Sequence, residues 1–347
     1  MNAPIADSLV PAGGIDRERV LAGDIGGTST RLAIFERNGP KPRVVVEKVY
    51  SSKAHATLDE IVAAFVVEHP IPIAAAAFGI AGPVLNGRVQ TPNLAWTVGS
   101  SSLARLLALP SVALINDLEA NAWGIGALEA KDLLVLNAGN PDATGNRAIL
   151  SPGTGLGEAG LYWDGKTHRP FACEGGHADF APRNDHEIAL LKHLLAKHER
   201  VSYERVLSGP GLAAIFEFLQ STSSTPLPSW FVDECKAGDV AAAVSRAALG
   251  KRLAVAVHAL DLFVGFYGAE AGNLGLKMMA TGGVFIGGGI APRIVEKFQT
   301  PLFMEAFTAK GRMRELMRAM PVHVILNDKT ALLGAARYAI AHAGQSR

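Results

Sequence analysis

Twice along the chain an apolar strand runs into a short turn of glycine and threonine and comes back as another strand. The first copy is residues 20–22, then Gly23-Asp24-Ile25-Gly26-Gly27-Thr28, then residues 31–35. The second is residues 148–150, then Ser151-Pro152-Gly153-Thr154-Gly155-Leu156-Gly157, then an apolar return ending at Tyr162 and Trp163. Two copies of one device, each heading a run of strands and helices, predict a duplicated α/β architecture with a cleft between the halves. The length agrees, because 347 residues exceed the ~250–300 at which a single core stops growing.

Between and after these devices the pattern is readable in outline. A strand over 43–50 is followed by Leu58, Ile61, Val62, Phe65 and Val66, one apolar stripe at helical spacing. Residues 73–79 read as a buried strand, and Asn86-Gly87 has the chemistry of a tight hairpin turn. A helix over 103–109 precedes a short strand over 112–115 that delivers Asn116 and Asp117 to its C-terminal end. A second unit starts near Leu133, with helices over 186–197, 211–220 and about 241–272. A strand over 278–286 ends in Gly287-Gly288-Gly289, and a strand over 322–326 leads to a last helix over 329–341. The stretch 253–276 is the most membrane-like, but His258, Asp261 and Glu270 interrupt it, so a buried core helix is expected.

Charge narrows the partners. With 33 Lys+Arg against 32 Asp+Glu, the chain offers no field that would draw nucleic acid or an anionic membrane. Two cysteines, Cys173 and Cys235, cannot form a disulfide framework, so free thiols and a cytoplasmic setting are expected. Residues 1–17 lack a basic start followed by an apolar run and read as a frayed tail rather than a signal peptide.

The two glycine turns are candidate phosphate loops. A turn without Cβ atoms lets backbone N–H groups approach phosphate oxygens, and Thr28 adds a hydroxyl donor. Asp24 would repel phosphate unless a cation lies between, which points to Mg²⁺ held through water. Gly155-Leu156-Gly157-Glu158-Ala159-Gly160 also matches the dinucleotide fingerprint, but that reading needs a helix after the glycines, and residues 159–163 read as a strand. No Gly-x-x-x-x-Gly-Lys-Ser/Thr occurs, so a P-loop enzyme is excluded. Asp117 can be the N-cap of the following helix or a general base facing a ligand. Glu174-Gly175-Gly176-His177 places a carboxylate and an imidazole on a glycine-softened loop, without zinc-type spacing and suited to sugar hydroxyls. Glu204 reads equally well as a solvated helix residue.

Seven motifs in order carry a resemblance: Leu21–Ser29, Thr91-Pro92-Asn93-Leu94-Ala95-Trp96, Ile115-Asn116-Asp117, Gly153–Gly157, Glu174–Pro182, Glu204–Gly211 and Thr281–Pro292. The series closely resembles the bacterial ATP-dependent glucokinase family, from about Val20 to Ala341. The resemblance implies a two-domain ribonuclease H-like (actin/hexokinase) fold with an interdomain cleft. Its parts would be a tail over 1–19, a smaller domain over 20–130 plus 321–347, and a larger one over 131–320. It implies ATP on Gly23, Asp24, Ile25, Gly26, Gly27 and Thr28, on Gly153, Thr154 and Gly155, and on Gly282 and Gly283 of the adenosine segment. Glucose would be held by Asn93, Asn116, Asp117, Glu174, His177 and Glu204, with Asp117 as the catalytic base and Trp96 in the loop lining the sugar pocket. The cysteine-rich zinc motif of the repressor-like sugar kinases is absent after the Glu-Gly-Gly-His loop, which argues against that branch. The implied reaction is γ-phosphoryl transfer to the 6-hydroxyl, the first step of glycolysis. Closure of the cleft by the sugar before transfer is expected on physical grounds, since an open site holding ATP would risk hydrolysing it. A homodimer is also implied, although no residue pattern encodes it.

Overall fold

The computed structural model describes residues 19–37, 41–91, 94–140 and 142–343. Asn93 and almost all of the N-terminal tail lie outside them. The described chain divides into two compact units, one taking residues up to 120 and returning from 332, the other taking 121–331.

The first unit is built on five strands in the order β3-β2-β1-β4-β7. These are β1 (Arg19–Ile25), β2 (Ser29–Glu36), β3 (Arg43–Ser51), β4 (Ala75–Ile80) and β7 (Ala113–Asn116). The first three form an antiparallel meander, and β4 and β7 run parallel to β1. A separate ribbon of β5 (Arg88–Gln90) and β6 (Thr97–Gly99) starts at the Asn86-Gly87 turn, where both residues have positive φ (51° and 69°). Leu85 and Arg88 exchange both backbone hydrogen bonds across that turn, as a two-residue hairpin requires. The expected stripe of Leu58, Ile61, Val62 and Phe65 lies on the helix Leu58–Glu68 and is fully buried against this unit's core.

The second unit repeats the plan. Its sheet has the order β11-β10-β9-β12-β13-β8, from β8 (Leu133–Asn137), β9 (Arg147–Pro152), β10 (Leu156–Trp163), β11 (His168–Cys173), β12 (Val284–Ile286) and β13 (Val322–Ile325). Here β9-β10-β11 is the meander, and β12 and β13 stand parallel to β9 as β4 and β7 stand to β1. The added β8 pairs antiparallel with β13 at the far edge. Because Val322 pairs with Val284, residues 322–325 stand with the second sheet and not with the first, where the expected boundary put them.

The apolar run expected as a core helix is the helix Ala254–Met278, packed between the helices Gly209–Ser221, Val240–Leu249 and Pro301–Thr308. Close approach to Pro301–Thr308 depends on Gly268 and Gly272, one turn apart. A Cβ on Gly268 would stand 2.1 Å from the Phe303 carbonyl oxygen, and one on Gly272 would stand 2.7 Å from that of Phe307. Gly268→Val forces these backbones apart in a closed core and should cost about 3 kcal/mol of unfolding free energy. Denaturant titration reads this as a lower midpoint with an unchanged slope.

Candidate functional site

In the first unit the candidate residues leave the carboxyl ends of parallel strands, the edge where open α/β sheets bind ligands. β1 runs as far as Ile25, so Gly23, Asp24 and Ile25 are strand residues and the turn proper is Gly26-Gly27-Thr28. Gly23 is glycine for packing, since a Cβ there would stand 2.4 Å from the Phe78 ring. Ile25 is buried in the core. Neither Gly26 nor Gly27 is among the positive-φ residues, so what these glycines supply is bare backbone. The turn closes through Gly26 N–H to Ser29 O (3.0 Å). Ser52, fully buried, braces it. Its hydroxyl donates to Gly26 O (2.7 Å), lies 3.0 Å from the Thr30 hydroxyl, and its N–H donates to Thr28 O (3.0 Å). Sequence reasoning passed over Ser52 because nothing in its neighbourhood marks it as part of a loop 26 residues earlier.

Asn116 ends β7 and Asp117 opens the helix Asp117–Ile125. The Asn116 side chain accepts from the Leu118 N–H (2.8 Å), the bond an N-cap makes, and its amide donates to Gly82 O (3.2 Å). Capping is therefore the work of Asn116. Asp117 sits one position later, half-buried, with Oδ1 3.0 Å from the same Leu118 N–H. Trp96 is buried in this unit's core, its indole N–H donating to His55 O (3.3 Å).

In the second unit the Gly153–Gly155 loop and the expected sugar residues of that unit are joined in one hydrogen-bonded assembly. Gly153 N–H donates to Gly155 O (2.8 Å), and Gly209 N–H donates to Gly153 O (2.8 Å), tying the loop to the start of the helix Gly209–Ser221. That helix start has little left to give as a hydrogen-bond donor: Pro210 has no N–H, and Gly211 N–H goes to the Ser208 hydroxyl (3.1 Å). What it presents toward the loop is the positive end of its dipole. Glu204 turns back onto the loop. Its Oε2 accepts from Leu156 N–H (3.0 Å), and a Cβ on Gly155 would stand 2.6 Å from that oxygen. Glu204 is thus an anchored, half-buried carboxylate and not a solvated helix residue.

The Glu174–His177 segment lies alongside. It is a single turn of 3-10 helix, Gly175–His177, followed by a bridge between Asp179 and Ser202. Ala178 O accepts from Tyr203 N–H (2.9 Å), and Phe180 N–H donates to Val201 O (3.0 Å), so the turn and the Tyr203-Glu204 segment are one structure. Arg200 fastens it by donating to His177 O (2.6 Å) and Asp179 Oδ1 (2.8 Å). Glu174 and His177 are exposed, and Gly176 is buried because a Cβ would stand 2.1 Å from Leu156 O. A polar set of this kind has the donors and acceptors to hold hydroxyls. The glucose-holding role that the resemblance implies for Glu174 and His177 predicts that Glu174→Ala and His177→Ala each raise the glucose KM roughly tenfold, with the ATP KM within about twofold. Steady-state kinetics with each substrate varied in turn reads the two effects separately.

Beside Thr154 opens a cavity of about 840 Å³, walled by Gly153, Gly209, Ala241, Ala242, Ser245, Gly289 and Ile290 among others. Its size and mixed lining suit a nucleotide-sized ligand. The strand β12 explains which glycines reach it. Gly287 N–H donates to Leu150 O (2.8 Å), and Gly288 (φ 83°) lies so close that a Cβ would stand 2.4 Å from Pro152 O. Gly282 and Gly283 lie at the other end of β12, where Gly282 N–H donates to Asn146 O (2.9 Å) and a Cβ on it would meet Gly145 O at 2.4 Å. The structure does not bring these two to the cavity. Of the run after β12, Gly289 lines it, while Gly287 and Gly288 pack against β9.

A family model described as glucokinase matches residues 21–342. The chain belongs to the glucokinase family. The glucokinase of Synechocystis sp. is 44% identical over 341 residues, covering 91% of this chain and 96% of that one. Among solved structures, the glucokinase of an Antarctic psychrotroph superposes with a TM-score of 0.81 at 29% identity, covering 93% of this chain and 98% of that one. A ROK family glucokinase from Streptomyces griseus, solved in complex with glucose and AMPPNP, shares the fold (TM-score 0.63, 21% identity, covering 92% of this chain and 99% of that one). As a glucokinase family member the chain is a sugar kinase, a hexose phosphotransferase.

Proposed function

We propose that the chain transfers the γ-phosphoryl group of ATP to the 6-hydroxyl of glucose, with Asp117 accepting the hydroxyl proton. The observation that carries this reading is Glu204. One carboxylate accepts from the Gly153–Leu156 loop and stands in the same bonded segment as Glu174 and His177, so the polar set for a sugar adjoins the loop for a phosphate. Phosphoryl transfer needs that adjacency, because its catalysis is mostly positioning and charge stabilisation.

Asn116, Glu174, His177 and Glu204 hold the sugar in this reading, and Asp117 completes the set on a cleft that the bound sugar closes. The nucleotide takes the cavity beside Thr154, with Thr154 donating to its terminal phosphate and Gly26–Thr28 supplying a second phosphate turn. Magnesium keeps several waters and takes one or two carboxylates. Asp24, half-buried at the carboxyl end of β1, is a donor of that kind next to the Gly26–Thr28 turn. Mg²⁺ held there through water would neutralise phosphate charge.

A coupled assay with ATP and Mg²⁺ across glucose, mannose, fructose and N-acetylglucosamine tests the assignment. Glucose should give the highest kcat/KM, and product analysis should give the 6-phosphate. Higher kcat/KM for another sugar would replace glucose as the substrate.

A further inference from the structure

Behind the Glu174–His177 turn lies a polar cluster that the proposed reaction does not use. Glu158 on β10 is 1% exposed and Glu270 on the helix Ala254–Met278 is fully buried. Their carboxyl groups are within hydrogen-bonding reach of each other. Neither oxygen of Glu158 meets a donor group, and nor does Oε1 of Glu270.

The surroundings treat the two unequally. Glu270 Oε2 accepts from the Asn273 amide (2.7 Å), and Lys277 Nζ stands 3.6 Å from Oε1. Lys310 Nζ donates to Asn273 Oδ1 (2.5 Å) and Ala269 O (2.9 Å), adding a second cation on that side. Glu158 has the opposite setting, with the Gly175 backbone on its outer side. A Cβ on Gly175 would stand 2.0 Å from Glu158 Oε2, so this carboxyl fills the space a side chain at 175 would take. Two buried carboxyl groups side by side cannot both ionise cheaply, and Glu158, which Lys277 reaches only at longer range than its 3.6 Å ion pair with Glu270, keeps the proton. Its O–H then donates to Glu270, which satisfies an oxygen on each side.

We propose that Glu158, as a neutral carboxyl hydrogen-bonded to Glu270, is a positioning residue for the sugar site, propping the Gly175–His177 turn from behind. The same cluster reaches the neighbouring segment, because Asn273 also donates to the Tyr203 hydroxyl (3.1 Å) next to Glu204. One buried proton therefore supports both segments assigned to the sugar. Burial and the Glu270 charge push the Glu158 carboxyl up to about 8, and burial raises Glu270 as well, against the pull of Asn273 and Lys277. Loss of the proton leaves two negative charges under Gly175 and Gly176, which carry no side chain to spread them.

The inference rests on the sugar-site reading above, and its test separates the two. Kinetics from pH 6 to 9.5 are compared for the native chain, Glu158→Gln and Glu158→Ala. The native glucose KM should rise above about pH 8 with the ATP KM flat, following the loss of the proton. Glu158→Gln keeps a donor and cannot ionise, so its glucose KM should match the native value at pH 7 and stay flat to pH 9.5. Glu158→Ala should raise the glucose KM roughly tenfold at every pH, the loss expected for one buried hydrogen bond and its support. Other groups near the cluster titrate or carry charge: Lys277, Lys310, Arg183, Glu187, Cys173 and Glu174. Lys310, lowered by burial to about 8, is the one that could mimic the effect. An alkaline rise that survives in Glu158→Gln belongs to Lys310 and overturns the proposal.

Thermal unfolding supplies a readout independent of turnover. A raised pKa in the folded state means the unfolded chain releases its proton first as pH rises. The stabilisation is complete below pH 4.5 and is lost as pH climbs to about 8. Glu158→Gln should remove that part of the slope, and an unchanged slope counts against the shared proton. Glu174→Ala serves as the control. If it leaves the glucose KM unchanged, the sugar site is wrongly assigned; a normal response there with an unresponsive Glu158→Ala overturns this inference alone.

Discussion

Asp117→Asn should lower kcat by roughly 10²–10⁴ or more while glucose affinity changes only a few-fold. Asn116 already accepts from Leu118 N–H, so the cap survives the substitution and the fold has no reason to change. An asparagine at 117 keeps the shape and hydrogen-bonding reach of the aspartate but has no basic oxygen to take a proton. The effect should therefore fall on the chemical step and spare binding, which identifies an interaction made only in the transition state. Calorimetry for glucose and a coupled assay for turnover read the two quantities on one preparation. Near-normal turnover would leave Asp117 as a helix-terminus residue and nothing more.

Glu204→Ala should be nearly as damaging for a different reason. The substitution removes a carboxylate that accepts from Leu156 N–H and packs against Gly155, so the Gly153–Gly155 loop loses its brace and, in the proposed site, the sugar loses one of its partners. Hydrogen bonds to a charged group contribute about 1.5–3 kcal/mol each, and two of them correspond to roughly 10²–10⁴ in kcat/KM for glucose. Unlike Glu174→Ala and His177→Ala, this variant should also weaken ATP use, because Leu156 follows directly on the loop that carries Thr154. Glu204→Gln retains an acceptor for Leu156 N–H and should recover part of the loss. An effect confined to the glucose KM would show that Glu204 serves the sugar alone.

The features that announced themselves in sequence were those with short-range causes. The Asn86-Gly87 turn needs two residues with positive φ, and that dipeptide supplies them locally. The two strand–turn–strand devices each sit within about twenty residues, and both became three-stranded meanders flanked by two parallel strands. No helix follows the fingerprint-like glycines from Gly155, because the residues after them form β10. What sequence hid were roles set by distant partners. Gly23 stood in a glycine-rich run and read as a phosphate contact, but Phe78, 55 positions later in number, is what requires it to lack a side chain. Gly282 and Gly283 read as part of one adenosine segment with Gly287–Gly289, yet a three-residue strand separates the two groups and places them at opposite ends of the sheet. The division of labour between Asn116 and Asp117 turned on which residue opens the helix, a one-position question that composition cannot answer. Glu158 gave no signal at all, since a buried carboxyl whose partner is Glu270 looks in sequence like any strand glutamate.

The proposed mechanism requires Asp117 to meet the 6-hydroxyl of a glucose held by Glu174, His177 and Glu204. A crystal structure of the chain with glucose and a non-hydrolysable ATP analogue tests it most directly, because proton transfer requires a heavy-atom separation of about 2.6–3.2 Å. The predicted result is an Asp117 carboxylate oxygen at that distance from O6, with Glu204 on the same sugar and the nucleotide in the cavity beside Thr154. A glucose bound with O6 turned away from Asp117, or held without Glu174, His177 and Glu204, would contradict it.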